Sequence, residues 1–147
     1  MTYGIIGAMD VEIQTLLEAM FEKKLVAVHD LLFHVGKIGN NVAVVAKCGI
    51  GKVNAARCAQ ALIDRFNPDY LINTGIAGGI GPGLRVGDIV IGEDLVQHDF
   101  DMTALGCVKG CQSLEGHKDR PTLFPAEEDL LIRFEVAAQA VAGKGAV

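Results

Sequence analysis

One acidic side chain stands where its type and position could do chemistry. Glu12 follows a short apolar run that ends at Gly7, and it lies near the start of a segment whose apolar residues recur at helical spacing. A carboxylate just beyond a glycine turn can face a pocket. It can equally be a solvated first-turn residue favoured by the helix dipole. Position alone favours the solvated interpretation, so a catalytic role for Glu12 needs a second line of evidence.

Two basic side chains are weaker candidates. Lys52 follows a glycine loop at the predicted start of a helix, a position where lysine is usually a surface charge. His98 stands between Gln97 and Asp99 and could act as a general base, although a hydrogen-bonded structural histidine is equally compatible with this position. Neither residue is assigned a role from position alone.

The cysteines bear on metal binding and on location. There are four, Cys48, Cys58, Cys107 and Cys111. The last two, with His98 and His117 nearby, have a superficial likeness to a metal site, but the chain has no second close pair of cysteines. We therefore expect no metal, and we expect Cys107 and Cys111 to be small residues in a surface loop. The N-terminus has no basic segment or cleavage site, so we expect no signal peptide, reduced thiols and a cytoplasmic protein.

Three glycine-containing loops follow predicted strands, at Gly7–Met9, Cys48–Lys52 and Gly75–Gly79. In open α/β sheets, ligands bind at the carboxyl ends of strands, so these loops could line one pocket. None matches a dinucleotide fingerprint, since Asn54 stands where the second loop would need its third glycine. The same loop fails as a phosphate-binding P-loop, because Val53 replaces the Ser or Thr. We expect no cofactor.

The elements that must position these loops are read from hydrophobic periodicity. Continuous or alternating apolar runs predict strands at 2–7, at LVAVHD, LLFHVGKI and NVAVVAK, at Tyr70–Asn73 and at Asp88–Phe100. Helical spacing predicts helices from Asp10, as the cap, to Met20, from Lys52 to Phe66, and from Ala126 to Ala142. A hairpin turn is predicted at Gly39–Asn41 and a long loop from Gly106 to Pro125.

Alternating strands and helices indicate an α/β fold, with a central mixed twisted β-sheet flanked by helices. The 147 residues suit a single domain, 1–147. The last predicted helix ends at Gly143–Lys144–Gly145, and the sequence stops at Ala146–Val147, where a further strand could begin. We therefore expect the domain to be incomplete at its C-terminal end.

Composition excludes several classes of partner. Half of the residues are hydrophobic and only 21% are charged, which is too apolar for a disordered protein. The formal net charge of −5 argues against a nucleic-acid partner, because no basic stripe is available to neutralise phosphates. No apolar run approaches the roughly 20 residues of a membrane span, so no membrane partner is expected.

Four segments together resemble a known family. They are GIIGAMDVEI (4–13), CGIGKVNAA (48–56), LINTGIAGG (71–79) and VGDIVIGEDLVQHDFDMTALG (86–106). In order and spacing they resemble the 5′-methylthioadenosine/S-adenosylhomocysteine nucleosidases of the nucleoside phosphorylase superfamily. The resemblance implies a nucleoside phosphorylase-like fold and a cytoplasmic homodimer. It also implies hydrolysis of the N-glycosidic bond of both nucleosides, which releases adenine in methionine salvage.

The resemblance also implies roles for individual residues. Glu12 matches the family's catalytic carboxylate, which positions and activates the attacking water. The matched substrate-binding positions are Met9 and Ile50 for the alkylthio group, Ala77 and Gly78 near the base, and Ile76, where many relatives carry Ser. Met102 and Leu105 match positions that reach into the partner subunit's pocket, and Leu105 replaces a common aromatic residue.

The family's ribose-binding Met-Glu segment and its purine-protonating acid match nothing in this chain and would lie beyond Val147. We therefore expect little or no hydrolase activity from this polypeptide alone. Three alternatives stay open: a purine nucleoside phosphorylase, a hydrolase of futalosine-type nucleosides, and a non-catalytic binding or dimerisation fragment.

Overall fold

The computed structural model describes residues 1–113 and 115–142. The chain divides into two compact units, Met1–Gly78 and a second that begins at Gly79, and each is described by itself. The prediction that residues 1–147 form a single domain stays a prediction.

The first unit is built on one five-stranded sheet. In chain order its elements are β1 (Thr2–Gly7), α1 (Asp10–Ala19), β2 (Phe21–Val28), β3 (Leu31–Ile38), β4 (Asn41–Lys47), α2 (Lys52–Phe66) and β5 (Tyr70–Asn73). The strand order is β2-β3-β4-β1-β5. The pairs β2–β3 and β3–β4 are antiparallel, whereas β1 is parallel to both β4 and β5. The predicted mixed sheet is confirmed.

Each face of this sheet carries its own apolar core, because successive strand residues point to opposite faces. One core comprises Ile5, Ile13, Met20, Ala43 and Val45, and it includes the buried side chain of α1. The other comprises Ile6, Leu31, Phe33, Val44, Ala46, Cys48, Cys58 and Leu62, and it includes the buried side chains of α2. The sheet is therefore covered by a different helix on each face.

The helix boundaries of the first unit agree with the sequence except at one cap. The predicted helix over Lys52–Phe66 is confirmed as α2, and it ends at Asn67, which adopts a left-handed conformation. Asp10 was predicted to cap α1, and this is wrong, because Met9 is the N-cap and Asp10 is already helical. The carboxylate that reaches back to the cap belongs to Glu12, while Asp10 pairs with Lys47.

The second unit contains little regular structure. Its elements are β6 (Asp94–Leu95), a short 3₁₀ turn (Thr103–Leu105), β7 (Phe124–Pro125) and α3 (Glu128–Ala142). The long strand predicted over Asp88–Phe100 is wrong. A strand needs a hydrogen-bonding neighbour. Of the residues 88–100, all of which the structure describes, only Asp94 and Leu95 pair with a neighbouring strand, which is β7.

Most of the predicted loop from Gly106 is irregular, and the last helix begins two residues later than predicted. The predicted helix end at Gly143–Lys144–Gly145 and the expectation at Ala146–Val147 lie outside the described residues. Across 1–113 and 115–142, no helix is both long and apolar enough to span a membrane.

Candidate active site

Three loops of the first unit meet at one edge of the sheet. Because β4, β1 and β5 are adjacent and parallel, their carboxyl ends lie side by side. The loops that follow these strands begin at Cys48, Ala8 and Thr74. Two backbone bonds tie them to β1: Cys48 N–H donates to Gly7 O (2.8 Å), and Thr74 N–H donates to Ile6 O (3.0 Å). The glycine loops therefore lie side by side at this edge of the sheet, and their lining of one pocket stays a prediction.

The carboxylate of Glu12 lies where two of these loops converge. Its Oε2 accepts hydrogen bonds from the backbone N–H groups of Ala8 (2.7 Å) and Met9 (2.9 Å). Its Oε1 accepts one from the N–H of Ile76, 64 residues further along the chain (3.0 Å). Local and long-range backbone donors therefore fix both oxygens of one side chain.

These donors set the charge of the site. The N–H groups of Ile76, Met9 and Ala8 lower the pKa of the Glu12 carboxyl, and partial burial opposes them only in part. Glu12 is therefore ionised at neutral pH. Because Oε1 accepts a single N–H bond and a carboxylate oxygen has two lone pairs, it can accept a further donor such as water. The arrangement can hold and orient one small polar molecule.

Two glycines leave room for this carboxylate. A Cβ atom on Gly75 would lie 2.6 Å from Glu12 Oε1, and one on Gly7 would lie 2.7 Å from Ile13 Cγ2 and 3.3 Å from Glu12 Cβ. The distances of 2.6 Å and 2.7 Å are too short for normal packing of a Cβ atom. The sequence marked both residues as parts of glycine loops, but it gave no sign that they make space for Glu12.

An ion pair and a side-chain amide support the loops from outside. Lys47 Nζ, at the end of β4, lies 2.8 Å from Asp10 Oδ2, at the start of α1. Asn54 Nδ2 donates to the carbonyl of Ile50 (2.8 Å) and so holds the loop after β4. Neither contact was predicted; the ion pair could not be, because only the strand order shows that the end of β4 is a neighbour of the start of α1.

The other predicted site residues of this unit lie on the same loops. Met9 and Ile76 contact Glu12 through their backbone N–H groups. The side chains of Ile50 and Ile76 are largely exposed, and Ala77 and Gly78 are exposed too. The structure therefore places all five residues on the loops that follow β1, β4 and β5. Their roles in substrate binding stay predictions.

The remaining candidates lie elsewhere in the chain. Met102 precedes the 3₁₀ turn and is half-buried, whereas Leu105 at its end is exposed. Their predicted contact with a partner subunit stays a prediction. His98 is exposed in the second unit, and Lys52 is the exposed first residue of α2, so neither gains a role.

The cysteines require one correction. Cys107 and Cys111 lie in the predicted loop, but they are buried rather than on the surface, because that loop folds around them. In the part of the chain that the structure describes, no group of three or more His, Cys, Asp or Glu side chains could hold a metal ion.

Comparison with known proteins gives the context of this site. Residues 2–143 match the family model described as the phosphorylase superfamily. The chain is 44% identical over 142 residues to a 5′-methylthioadenosine/S-adenosylhomocysteine nucleosidase of Geobacillus thermodenitrificans, an alignment covering 97% of this chain and 57% of that protein. The chain therefore spans less than two thirds of the length of this curated relative.

Solved structures agree with the sequence comparison. The nucleosidase of the same name from Neisseria meningitidis, in complex with methylthio-immucillin-A, superposes with a TM-score of 0.87 at 38% identity, covering 99% of this chain and 60% of that one. The Colwellia psychrerythraea nucleosidase in complex with adenine gives 0.84 at 36% identity, with coverages of 97% and 57%. The predicted nucleoside phosphorylase-like fold is confirmed.

Proposed function

The chain belongs to the phosphorylase superfamily, and we propose that the site around Glu12 serves to hydrolyse the N-glycosidic bond of 5′-methylthioadenosine and S-adenosylhomocysteine, with release of adenine. The observation that carries the proposal is an ionised carboxylate held by three backbone N–H groups at the meeting point of strand-end loops. Relatives bearing the name of this activity support the choice of substrate.

The chemistry follows from the charge of the site. Breaking the bond between ribose and adenine builds positive charge on the sugar, and a fixed anion beside the sugar stabilises that charge without reorganisation. Oε1 of Glu12 can also accept a hydrogen bond from the attacking water. Because the three donors lower the pKa of Glu12, its carboxylate orients water and stabilises charge, and takes the proton only as the water becomes acidic on bonding to the sugar.

The leaving adenine gains negative charge and needs a proton, and such acid assistance is typically worth about 10²–10⁴-fold in rate. We propose that this acid comes from the part of the relatives that this chain does not span. The activity proposed here therefore belongs to the whole protein, and we expect this polypeptide alone to have little or none.

Hydrolysis is favoured over phosphorolysis by the same contacts. The N–H groups of Ala8, Met9 and Ile76 form a ready anion-binding nest, but the carboxylate of Glu12 already fills it. A phosphate dianion placed there would compete for the same donors and would be repelled by the carboxylate. A water molecule neither competes for these donors nor is repelled by the carboxylate.

The remaining predicted residues complete the proposal. Met9, Ile50 and Ile76 offer apolar surface to an alkylthio group, while Ala77 and Gly78 lie near the adenine. We propose a cytoplasmic homodimer in methionine salvage, in which Met102 and Leu105 reach the partner subunit's pocket. The four free thiols suit a reducing compartment.

The test uses a chimera in which this chain is followed by the C-terminal part of the Geobacillus thermodenitrificans relative that it does not span. Adenine release from 5′-methylthioadenosine is measured without phosphate, for the chimera and for this chain alone. We expect release by the chimera and a loss of at least about 100-fold in Glu12→Gln.

A rate that requires phosphate would instead indicate a phosphorylase. Faster release of base from a futalosine-type nucleoside would reassign the substrate. Binding of methylthioadenosine without turnover in the folded chimera would indicate a non-catalytic module.

A further inference from the structure

A pair of thiols outside the candidate active site occupies an unusual position. Among the described residues of the second unit, the buried side chains are those of Cys107 and Cys111, with exposed fractions of 5% and 0%. A unit with so few buried side chains gains little from hydrophobic burial, and small units of that kind are often held by a covalent link.

The two sulfur atoms lie beside the same backbone carbonyl oxygen. Cys107 Sγ lies 3.7 Å and Cys111 Sγ 3.3 Å from the same carbonyl oxygen, that of Ser113. Two thiols that share one acceptor atom lie near each other, so a disulfide between them needs only a local movement of the chain.

From this geometry we propose that Cys107 and Cys111 are a redox-active dithiol, which closes to an intrachain disulfide by exchange with a low-molecular-weight disulfide such as oxidised glutathione. Cys107, the less buried of the two, attacks first and forms a mixed disulfide, with release of one glutathione. Cys111 then attacks the Cys107 sulfur and releases the second. The two cysteine protons and two electrons leave with two molecules of reduced glutathione.

The backbone bonds around the pair indicate which residues can move. The N–H of Cys107 makes a long bond to Met102 O (3.4 Å) and that of Cys111 a long bond to Val108 O (3.2 Å), whereas the residues between them are held by short ones, from Val108 to Lys118 O (2.8 Å) and from Gly110 to Phe100 O (2.7 Å). Closure therefore moves the two cysteines themselves more easily than the residues between them. Burial and the neighbouring Cys111 raise the pKa of the Cys107 thiol, so reaction at neutral pH is slow and needs incubation over hours.

The sequence supplies a direct assay, because Lys109 lies between the two cysteines. The chain is equilibrated with defined ratios of oxidised to reduced glutathione, the remaining thiols are alkylated, and the protein is digested with trypsin. Residues 86–109 and 110–118 then leave as separate peptides if the thiols are free. We expect them to stay joined in the oxidised sample, lighter by two hydrogen atoms, and to separate after reduction.

Matched variants locate the reaction. Cys111→Ser should lose the joined peptides and accumulate glutathione on Cys107, whereas Cys58→Ser, in the other unit, should leave the joined peptides unchanged. Because the assay on the unaltered chain needs no variant, misfolding of a variant does not decide the question. Alkylation of both Cys107 and Cys111 at every glutathione ratio, or a link between Cys48 and Cys58 in their place, would overturn the proposal.

Discussion

At the scale of single residues, the site depends on how many hydrogen bonds one carboxylate can accept. Glu12→Gln keeps the size of the side chain, but its amide offers one acceptor oxygen, so its NH₂ group must face at least one of the three N–H donors. We expect adenine release by the chimera to fall at least about 100-fold. Glu18→Gln, an exposed acid on the same helix, is the control and should keep full activity; an equal loss there would contradict the role of Glu12.

The lowered pKa of Glu12 has a consequence for stability. A depressed pKa means that the folded chain prefers the carboxylate more strongly than the unfolded chain does. That stabilisation is fully present above the unfolded pKa of about 4.3 and is lost as the pH falls through the lower folded value. We expect the Tm of the unaltered chain to exceed that of Glu12→Gln at neutral pH, and the difference to shrink below about pH 4.3. A difference in Tm that grew on acidification would contradict a lowered pKa of Glu12 in the folded chain.

The space left by Gly75 can be tested by one methyl group. In Gly75→Ala the new Cβ would lie 2.6 Å from Glu12 Oε1, whereas a Cβ on Gly78 would meet nothing within 4 Å. Overpacking of this kind typically costs about 1–3 kcal/mol. We expect Gly75→Ala to lower the free energy of unfolding in urea by an amount in that range and Gly78→Ala to change it little. Equal effects would show that the loop shifts freely.

At the scale of elements, the sequence predicts well where a segment's own pattern decides its structure. The bounds of α2 and β5 are as predicted, because an apolar helical face and a short apolar run are local features that end at Asn67 and after Asn73. The segment 88–100 has an equally apolar pattern. It forms only two residues of strand, because strand formation depends on a partner that no local pattern specifies.

The packing of α2 on the sheet gives an element-scale prediction. Leu62 is fully buried, and its Cδ2 lies 2.5 Å from the position of a Cβ on Gly4 of β1. Leu62→Ala should lower the free energy of unfolding by about 2–5 kcal/mol, since it leaves a cavity in the core. The adjacent Ile63 is 43% exposed, so Ile63→Ala should cost clearly less. Urea unfolding, with m values that stay unchanged, measures both free energies. Losses of similar size would contradict the assignment of Leu62, and not Ile63, to the buried face of α2.

At the scale of the whole molecule, only part of the candidate site could be predicted from the sequence. The glycine loops and Glu12 could be found from the sequence, since parallel strands bring their carboxyl ends together. The bond from Ile76 to Glu12 and the space at Gly75 could not, and outside the site neither could the burial of Cys107. Each depends on residues distant in sequence or on a loop folding over itself, and the residue types involved carry no signal of it.

The second unit exposes many apolar side chains, and this determines how the isolated chain should behave. Ile80 and Val86 are fully exposed and Leu95 is largely so. Apolar surface of this extent favours association, because burying it removes it from water at about 25 cal/mol per Å². We expect the 15.6 kDa chain to form larger species at tens of micromolar, as measured by light scattering during size-exclusion chromatography.

Variants can assign this association to the second unit. Replacing Ile80 and Val86 together by Ser removes apolar surface from it, and the larger species should then decrease markedly. Ile63→Ser, at a half-exposed position of the first unit, is the control and should change the elution little. A chain that elutes as a monomer at every concentration would show that these side chains do not drive association, whereas association unchanged in the double variant but lost in Ile63→Ser would move the contact surface to the first unit.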